Sequence, residues 1–473
     1  MTAAPAAGGG PRPRLVPVLP RLAWVVLGGD FVSALGSGLT LPFLFVYAHR
    51  VRELSDGAAG LVLATIALAS IAGNPAGGVL ADRWTPRRAV MAGLVVAAAG
   101  AAALAAAHSA AALFGAAALT GLGVSVIWPA QDALLAGLVG PADRSAVFAV
   151  RHASLNAGLG AGALVAAALV RVTQPGTFTA VYLADAVSFL LVLPVLAYLG
   201  RLTAADARKP AAAGRAAPGP GGADPGGAEP AGPPPRPGLR QVLSDRMFLR
   251  VWLLTALIVT VSFGQSDASF PGYATRPGGI SPRDLSLAFA ANTLTVVAAQ
   301  LFVLRRLAGH RRTTGTALAA LAWALAWALV IAGGRLGGGA LAVVTFTAAM
   351  AVFAVGESLL SPTLPAIIND LAPPGAAGRY NGLGTLAFTT GFLVGPAGGA
   401  AALGAGWGAG LFAGLIAACV LAGAGAIGLG RRLPAAANQV TPPPEPRPGQ
   451  DHAAADPLAC LDTVRPDTDA LRR

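Results

Sequence analysis

The chain has 473 residues, of which 55% are hydrophobic and 11% charged, with a mean hydropathy of +0.65. Those values exclude an ordinary soluble domain and fit a polytopic membrane protein. The formal net charge of +12 does not indicate nucleic acid, because the arginines fall between apolar runs and form no basic face or stripe.

In chain order, a polar tail (1–21) precedes apolar runs that predict membrane helices at roughly 22–48, 57–81, 88–107, 110–137, 146–170 and 177–199, each near the ~20 residues that cross a bilayer. Arg12, Arg14 and Arg21 ahead of the first run mimic a signal peptide. The length of that run and the Asp30 inside it make it a retained helix. A second set follows at roughly 248–272, 284–304, 314–333, 339–362, 380–402 and 405–429. The expected organisation is therefore an N-terminal six-helix bundle (22–200), a linker (201–246), a C-terminal six-helix bundle (247–430) and a tail (431–473). Linker and tail are rich in Pro, Gly and Ala with few large apolar residues, so both are expected to be disordered. With long segments left out, the short segments on one side hold fifteen Lys and Arg residues against six on the other, which predicts both termini in the cytoplasm.

The most informative short stretch is 77–88, Gly-Gly-Val-Leu-Ala-Asp-Arg-Trp-Thr-Pro-Arg-Arg. It joins two membrane-length runs through a tight charged loop. The Gly78-x-x-x-Asp82-Arg83 spacing puts the glycine one turn before the acid, on the same face, where another backbone can approach. Asp82 is then placed to meet a helix N-terminus or an arginine, while Arg87 and Arg88 hold the loop inside. These residues resemble the loop between helices 2 and 3 of the major facilitator superfamily, Gly-x-x-x-Asp-Arg-x-Gly followed by basic residues. The sequence departs at Thr85, where the family has glycine, and at Pro86, which displaces the first basic residue.

An internal repeat agrees with two halves. Gly123-Val124-Ser125 recurs as Gly356-Glu357-Ser358, and at the same offset of 233 residues Pro129, Ala133, Leu138 and Pro141 meet Pro362, Ala366, Leu371 and Pro374. Arg144 and Arg379 follow two residues out of register. Parallel repeats of this kind place a pathway at their interface. The resemblance, to a bacterial and drug-exporter-like member, implies an all-α fold of twelve transmembrane helices in the bacterial cell membrane, working as a monomer by alternating access.

Ionisable residues inside the apolar runs carry the functional expectations, since each costs ~2.5–3.5 kcal/mol at a helix centre on insertion scales. Asp30, about 12 Å into the first helix at 1.5 Å per residue, has no nearby lysine or arginine on its own helix. It is read as a proton or cation-substrate site, or else as a packing acid bonded to a neighbouring helix. Glu357 is read as a substrate or proton site, or as a gate residue paired with Arg144 or Arg379. Asp185 joins these candidates by depth, although the resemblance makes the sixth helix peripheral. Asp267, near the outer end of the seventh helix, is read as an outer gate or an interfacial residue, and Asp132 as structural. Gly391, Gly395, Pro396 and Gly399 permit close packing and a bend in the eleventh helix. They are similar to a Gly-Pro motif that antiporters of the superfamily carry on helix five, where this chain has no proline. Proton-linked exporters also carry an arginine in helix four shortly before a glycine, and residues 116–120 here are Ala-Ala-Ala-Leu-Thr.

No phosphate-binding loop, enzyme motif or metal-ligand spacing is present. Cys419 and Cys460 suggest neither a disulfide framework nor a metal site, so no cofactor or metal is expected. The expected partners are a small-molecule substrate, protons and lipid. The function that follows is proton-coupled efflux of a small apolar or cationic molecule. A proton-driven uptake symporter and a non-transporting membrane sensor are the alternatives.

Overall fold

The computed structural model describes residues 16–208, 238–266 and 268–440, among which there is no β-strand. Twelve helical stretches among the described residues are long and apolar enough to cross a membrane. We number their main helices α1 (Arg21–Thr40), α2 (Asp56–Arg83), α3 (Pro86–Ala106), α4 (Ala110–Leu138), α5 (Arg144–Leu169), α6 (Pro175–Arg208), α7 (Arg246–Val261), α8 (Pro282–Leu307), α9 (Arg312–Arg335), α10 (Gly339–Leu360), α11 (Ala377–Gly404) and α12 (Gly408–Gly430). The fold is all-α with twelve membrane helices, as the hydropathy requires.

Local chemistry sets several of the starts. Ser109 accepts the Ala112 N–H at 3.2 Å, and Ser281 with Asp284 forms a reciprocal capping box at α8. Thr85 accepts the Arg88 N–H at 3.2 Å, with Pro86 at the first helical position. The Thr-Pro departure from the family loop is thus a helix cap.

Helices α1–α6 gather around small-residue cores of alanine, leucine and valine, while α7–α12 share a core that holds Trp323, Trp327, Phe346, Phe353 and Phe412. Leu164, Leu294 and Leu421 are among the most exposed side chains, as expected of a surface whose solvent is lipid.

The seventh span is broken. After α7 it continues as Phe263–Ser266 and Ser269–Thr275, and the eleventh helix lies across the discontinuity. A Cβ on Gly391 would lie 2.6 Å from Val259, and one on Gly395 2.8 Å from the Thr260 carbonyl oxygen. Gly399 is as close to Ser269 and Gln265. These glycines therefore serve close packing, and the interruption lies in the seventh span, opposite them. α11 itself runs unbroken through Pro396.

Three expectations need correction at the segment ends. Helix α6 continues to Arg208, favoured by the alanines at 204, 205 and 207, and a short helix, Leu239–Ser244, packs Val242 into the second core. Both fall inside the segment expected to be a structureless linker; its remainder, 209–237, lies outside the described residues. Residues 434–440, expected to be disordered tail, are packed back onto the body, with Ala437, Asn438 and Val440 buried; residues 441–473 lie outside the described set.

Candidate functional site

Close approach of α1 to its neighbours creates a polar pocket among the first six helices. A Cβ on Gly158 of α5 would lie 2.6 Å from the Phe31 carbonyl oxygen, so glycine brings α5 against α1 at the depth of Asp30. The cavity, about 270 Å³, is lined by Asp30, Ser33, Ser37, Thr40, Thr120, Trp128, Gln131, Arg151, Tyr182 and Asp185 among others.

Asp30 is buried and is not solitary. It accepts hydrogen bonds from the Gln131 amide of α4 and from Arg151 Nε of α5 at 3.2 Å. Arg151 Nη1 donates to Asp132, and the guanidinium lies 4.8 Å from the centre of the Trp128 ring. One arginine therefore joins α1 and α4. Asp30 has no nearby basic residue on its own helix, and the cation that meets it comes from α5. An arginine thus faces the cavity from the fifth helix, where family resemblance places one on the fourth. Arg151 falls among the topology-setting arginines in the sequence because it lies near a helix end. The signal that sets it apart is an arginine two turns inside a helix that starts at Arg144.

Asp185 is in a different setting. It is buried, accepts the Thr40 hydroxyl at 2.9 Å, and has no basic side chain paired with it among the described residues. The Ser188 hydroxyl, 2.7 Å from the Asp185 carbonyl oxygen and 3.5 Å from its carboxylate, favours the carbonyl. The Tyr182 hydroxyl, one turn away on the same face, is buried with no protein partner. Around this pocket Arg151 pairs with Asp30 and Asp132, while Asp185 has no basic partner among the described residues.

Glu357 sits between the two groups of helices. Its carboxylate accepts from Asn292 Nδ2 at 3.2 Å and lies 3.5 Å from His152 Nε2 of α5. The expected arginine partners are engaged elsewhere: Arg144 with Asp370 and Arg379 with Asp82. Asp267 lies outside the described residues.

The stretch around Asp82 joins the two groups at one end of the molecule. Asp82 accepts the N–H groups of Gly378 at 2.7 Å and Arg379 at 3.0 Å, together with Arg379 Nη1 at 2.8 Å. These N–H groups open α11, so the carboxylate meets a positive helix terminus and an arginine together. Gly78 lies so near α11 that a Cβ there would overlap the Gly378 carbonyl oxygen. Arg83 and Arg88 are exposed, whereas Arg87 turns inward and donates to the Leu196 carbonyl of α6 at 3.2 Å. A second joint lies beside it. Asp370, at the end of the helical piece Leu364–Leu371, takes Arg144 from α5 and Arg312 from α9, and Arg312 Nε donates to Ser145 at 3.1 Å. Neither Asp370 nor Arg312 stands out in the sequence, because each lies in a short polar turn of the kind that usually faces solvent.

Comparison with known proteins agrees with this architecture. The model of the Major Facilitator Superfamily matches residues 26–278. The uncharacterized MFS-type transporter YttB of Bacillus subtilis (strain 168) is 25% identical over 385 residues, spanning 80% of this chain and 87% of its own. A Na(+), Li(+), K(+)/H(+) antiporter of Planococcus maritimus is 25% identical over 391 residues, 79% of this chain and 87% of its own. Among solved structures, a bacterial homologue of the iron transporter ferroportin in the outward-facing state superposes with a TM-score of 0.68 at 16% identity, covering 87% of this chain and 100% of that one. The human organic anion transporter MFSD10 gives 0.63, again at 16% identity, over 86% and 99%. Twelve apolar spans, the Gly78–Asp82 joint against α11 and a family model that matches more than half of the sequence lead to one assignment: the chain belongs to the major facilitator superfamily, as a multi-pass transporter of the cell membrane and not an enzyme.

Proposed function

We propose that the protein is a proton-coupled exporter of small cationic or apolar molecules, working as a monomer by alternating access with both termini in the cytoplasm. The observation that carries this is the charge imbalance in and beside the pocket: Asp30 and Asp132 share the guanidinium of Arg151, and the buried Asp185 has no basic partner among the described residues. Charge in that setting is costly without compensation, so the pocket favours protons or a positively charged guest and disfavours anions. Asp30 and Asp185 serve as the acids that exchange protons for substrate, and Arg151 holds Asp30 in place. Trp128 and Phe189 offer apolar surface to the rest of a guest. Glu357, reached by His152 from the opposite group, links the halves, and the Asp82 joint is the gate that opens and closes one end. Asp267 stays an outer-gate candidate on its place in the sequence alone.

The test is a pH gradient across everted vesicles. Addition of a transported cation is expected to collapse the gradient, and Asp30→Asn to abolish the response. A gradient still collapsed by the Asn variant removes Asp30 from the coupling role, and binding without flux in proteoliposomes would favour a sensor.

A second reading is exchange of an alkali cation. It is favoured by the oxygen-only surroundings of Asp185 and by the 25% identical Na(+), Li(+), K(+)/H(+) antiporter. Adding Na+, K+ or Li+ in place of an organic cation in the same assay separates the two.

A further inference from the structure

Beyond α12 the chain turns back on itself. Val440 packs against Val303 and Leu307 at the end of α8. The main chain of residues 438–440 pairs with the turn before α9: Gly309 N–H donates to the Val440 oxygen at 2.8 Å, Val440 N–H to His310 at 2.9 Å, and Arg312 N–H to Asn438 at 2.8 Å. Asn438 also supplies what α9 lacks at its start. The helix's own cap residue, Arg311, makes no side-chain cap bond. Asn438 Oδ1 accepts the Thr313 N–H at 3.0 Å, and its Nδ2 donates to the Gly430 oxygen at 3.2 Å. Two of the first N–H groups of α9 are thus satisfied by a residue 125 positions downstream of Thr313.

The turn capped in this way carries Arg312, whose side chain is 1% exposed. It donates to the Ala437 carbonyl at 3.0 Å, to Ser145 at 3.1 Å and to Asp370, which also takes Arg144. Ser145 and Arg144 belong to the first group of helices; Arg312, Asp370 and Ala437 follow the second. The returning segment therefore holds, from one side, a buried cation that on its other side ties the two groups together. Removing the segment leaves an N–H of that guanidinium and the first turn of α9 without their partners.

We infer that residues 434–440 are a clasp on the end of the transporter closed by Asp82 and Asp370. In place, the clasp fixes Arg312 across the joint; released, it lets that end open. Whatever engages the segment only in its released form biases the cycle toward opening there. This concerns the gate alone and holds whatever solute is carried.

The test uses spin labels at Ala142→Cys and Pro374→Cys, exposed positions beside the joint and one in each group. They are placed in the full chain with Cys419→Ala and Cys460→Ser, in lipid nanodiscs, and the distance distribution between them is measured. Asn438→Ala is expected to raise the ratio of long to short distances about fivefold, the usual effect of losing one helix cap. Asn438→Asp keeps the Oδ1 acceptor and is expected to recover most of the short-distance population. A chain ended after Leu433 is expected to shift further than Asn438→Ala; if it fails to fold, the two point variants decide alone. A merely structural role would lower the melting temperature of Asn438→Ala and leave the distances unmoved. That outcome, or equal shifts for the Ala and Asp variants, overturns the clasp.

Discussion

The two groups of helices are alike in outline and opposite in what fills them. Helices α1–α6 pack mostly alanine, valine and leucine, with one ring cluster of Tyr47, Phe178 and Tyr182, around a cavity that holds Asp30, Asp185 and Arg151. Helices α7–α12 pack aromatic rings together, with Phe263 edge to face on Trp323 and Phe353 and with Trp327 tilted against Phe412. Small residues let helices approach closely enough for buried polar groups to find partners on neighbouring helices. Large rings fill volume and leave little room for water or solute. A repeated architecture thus does not impose a repeated role. The polar pocket lies in the first group and the larger cluster of rings in the second.

The most severe challenge to this contrast is to remove the cation from the first group. Arg151→Ala leaves Asp30 and Asp132 without their counter-charge, and a loss of about 3–5 kcal/mol in stability is expected. Arg151→Met combined with Asp30→Asn and Asp132→Asn should regain much of it, as read by thermal unfolding in detergent. If the single variant is as stable as the parent, the network carries no weight in the first core.

The joint between the groups comes next. Gly78→Leu places a side chain where the Gly378 carbonyl lies, so the end near Asp82 should fail to close. Transport is expected to fall at least about tenfold, the equivalent of 1.4 kcal/mol in a conformational equilibrium. A cysteine placed among the joint residues should meanwhile become accessible to a water-soluble thiol reagent. Unchanged accessibility would show that the glycine contact is not part of closure.

In the second group, Trp327→Phe keeps an aromatic ring and deletes the indole N–H that donates to the Val261 carbonyl at 2.8 Å. A cost of about 1–3 kcal/mol is expected from the orphaned carbonyl, with the pH dependence of transport unaltered. A change in coupling from this variant would erase the division of labour drawn above.

The smallest effect on folding, about 1 kcal/mol or less, is expected for Asp185→Asn, because the Thr40 hydroxyl can donate to the amide oxygen as it does to the carboxylate. Its effect on function should be selective. Flux driven by a pH gradient is expected to lose its dependence on pH while exchange of labelled substrate persists. Equal loss of both would make Asp185 a packing residue.

Much of the fold can be read from the sequence because hydropathy is a long-range average: helix ends inferred from it lie within a few residues of those observed at most spans, and the tenth differs because it resumes after Pro362 as Leu364–Leu371. The Gly78–Asp82 spacing is also legible, since it sets two residues on one helix face, while the α11 residues they meet are not. Partnerships between distant helices are what the sequence hides. Nothing near Asp30 announces Arg151, 121 residues away, and Asn438 looks like any amide in a polar tail until α9 lies beside it. Glu357 is visible as a buried acid, but its partners, His152 and Asn292, come from two other helices.

The interruption of the seventh span has a consequence of its own. Carbonyls freed at such a point lie deep in the protein, and here they are occupied: Val261 by the Trp327 indole and Thr260 by the Gln265 amide, which also donates to the Gly395 carbonyl of α11. Straightening the span would strip these donors of their acceptors where no water waits to replace them. Flexing the span at this point would break those hydrogen bonds, so the aromatic bundle is expected to travel through the transport cycle as a single unyielding piece.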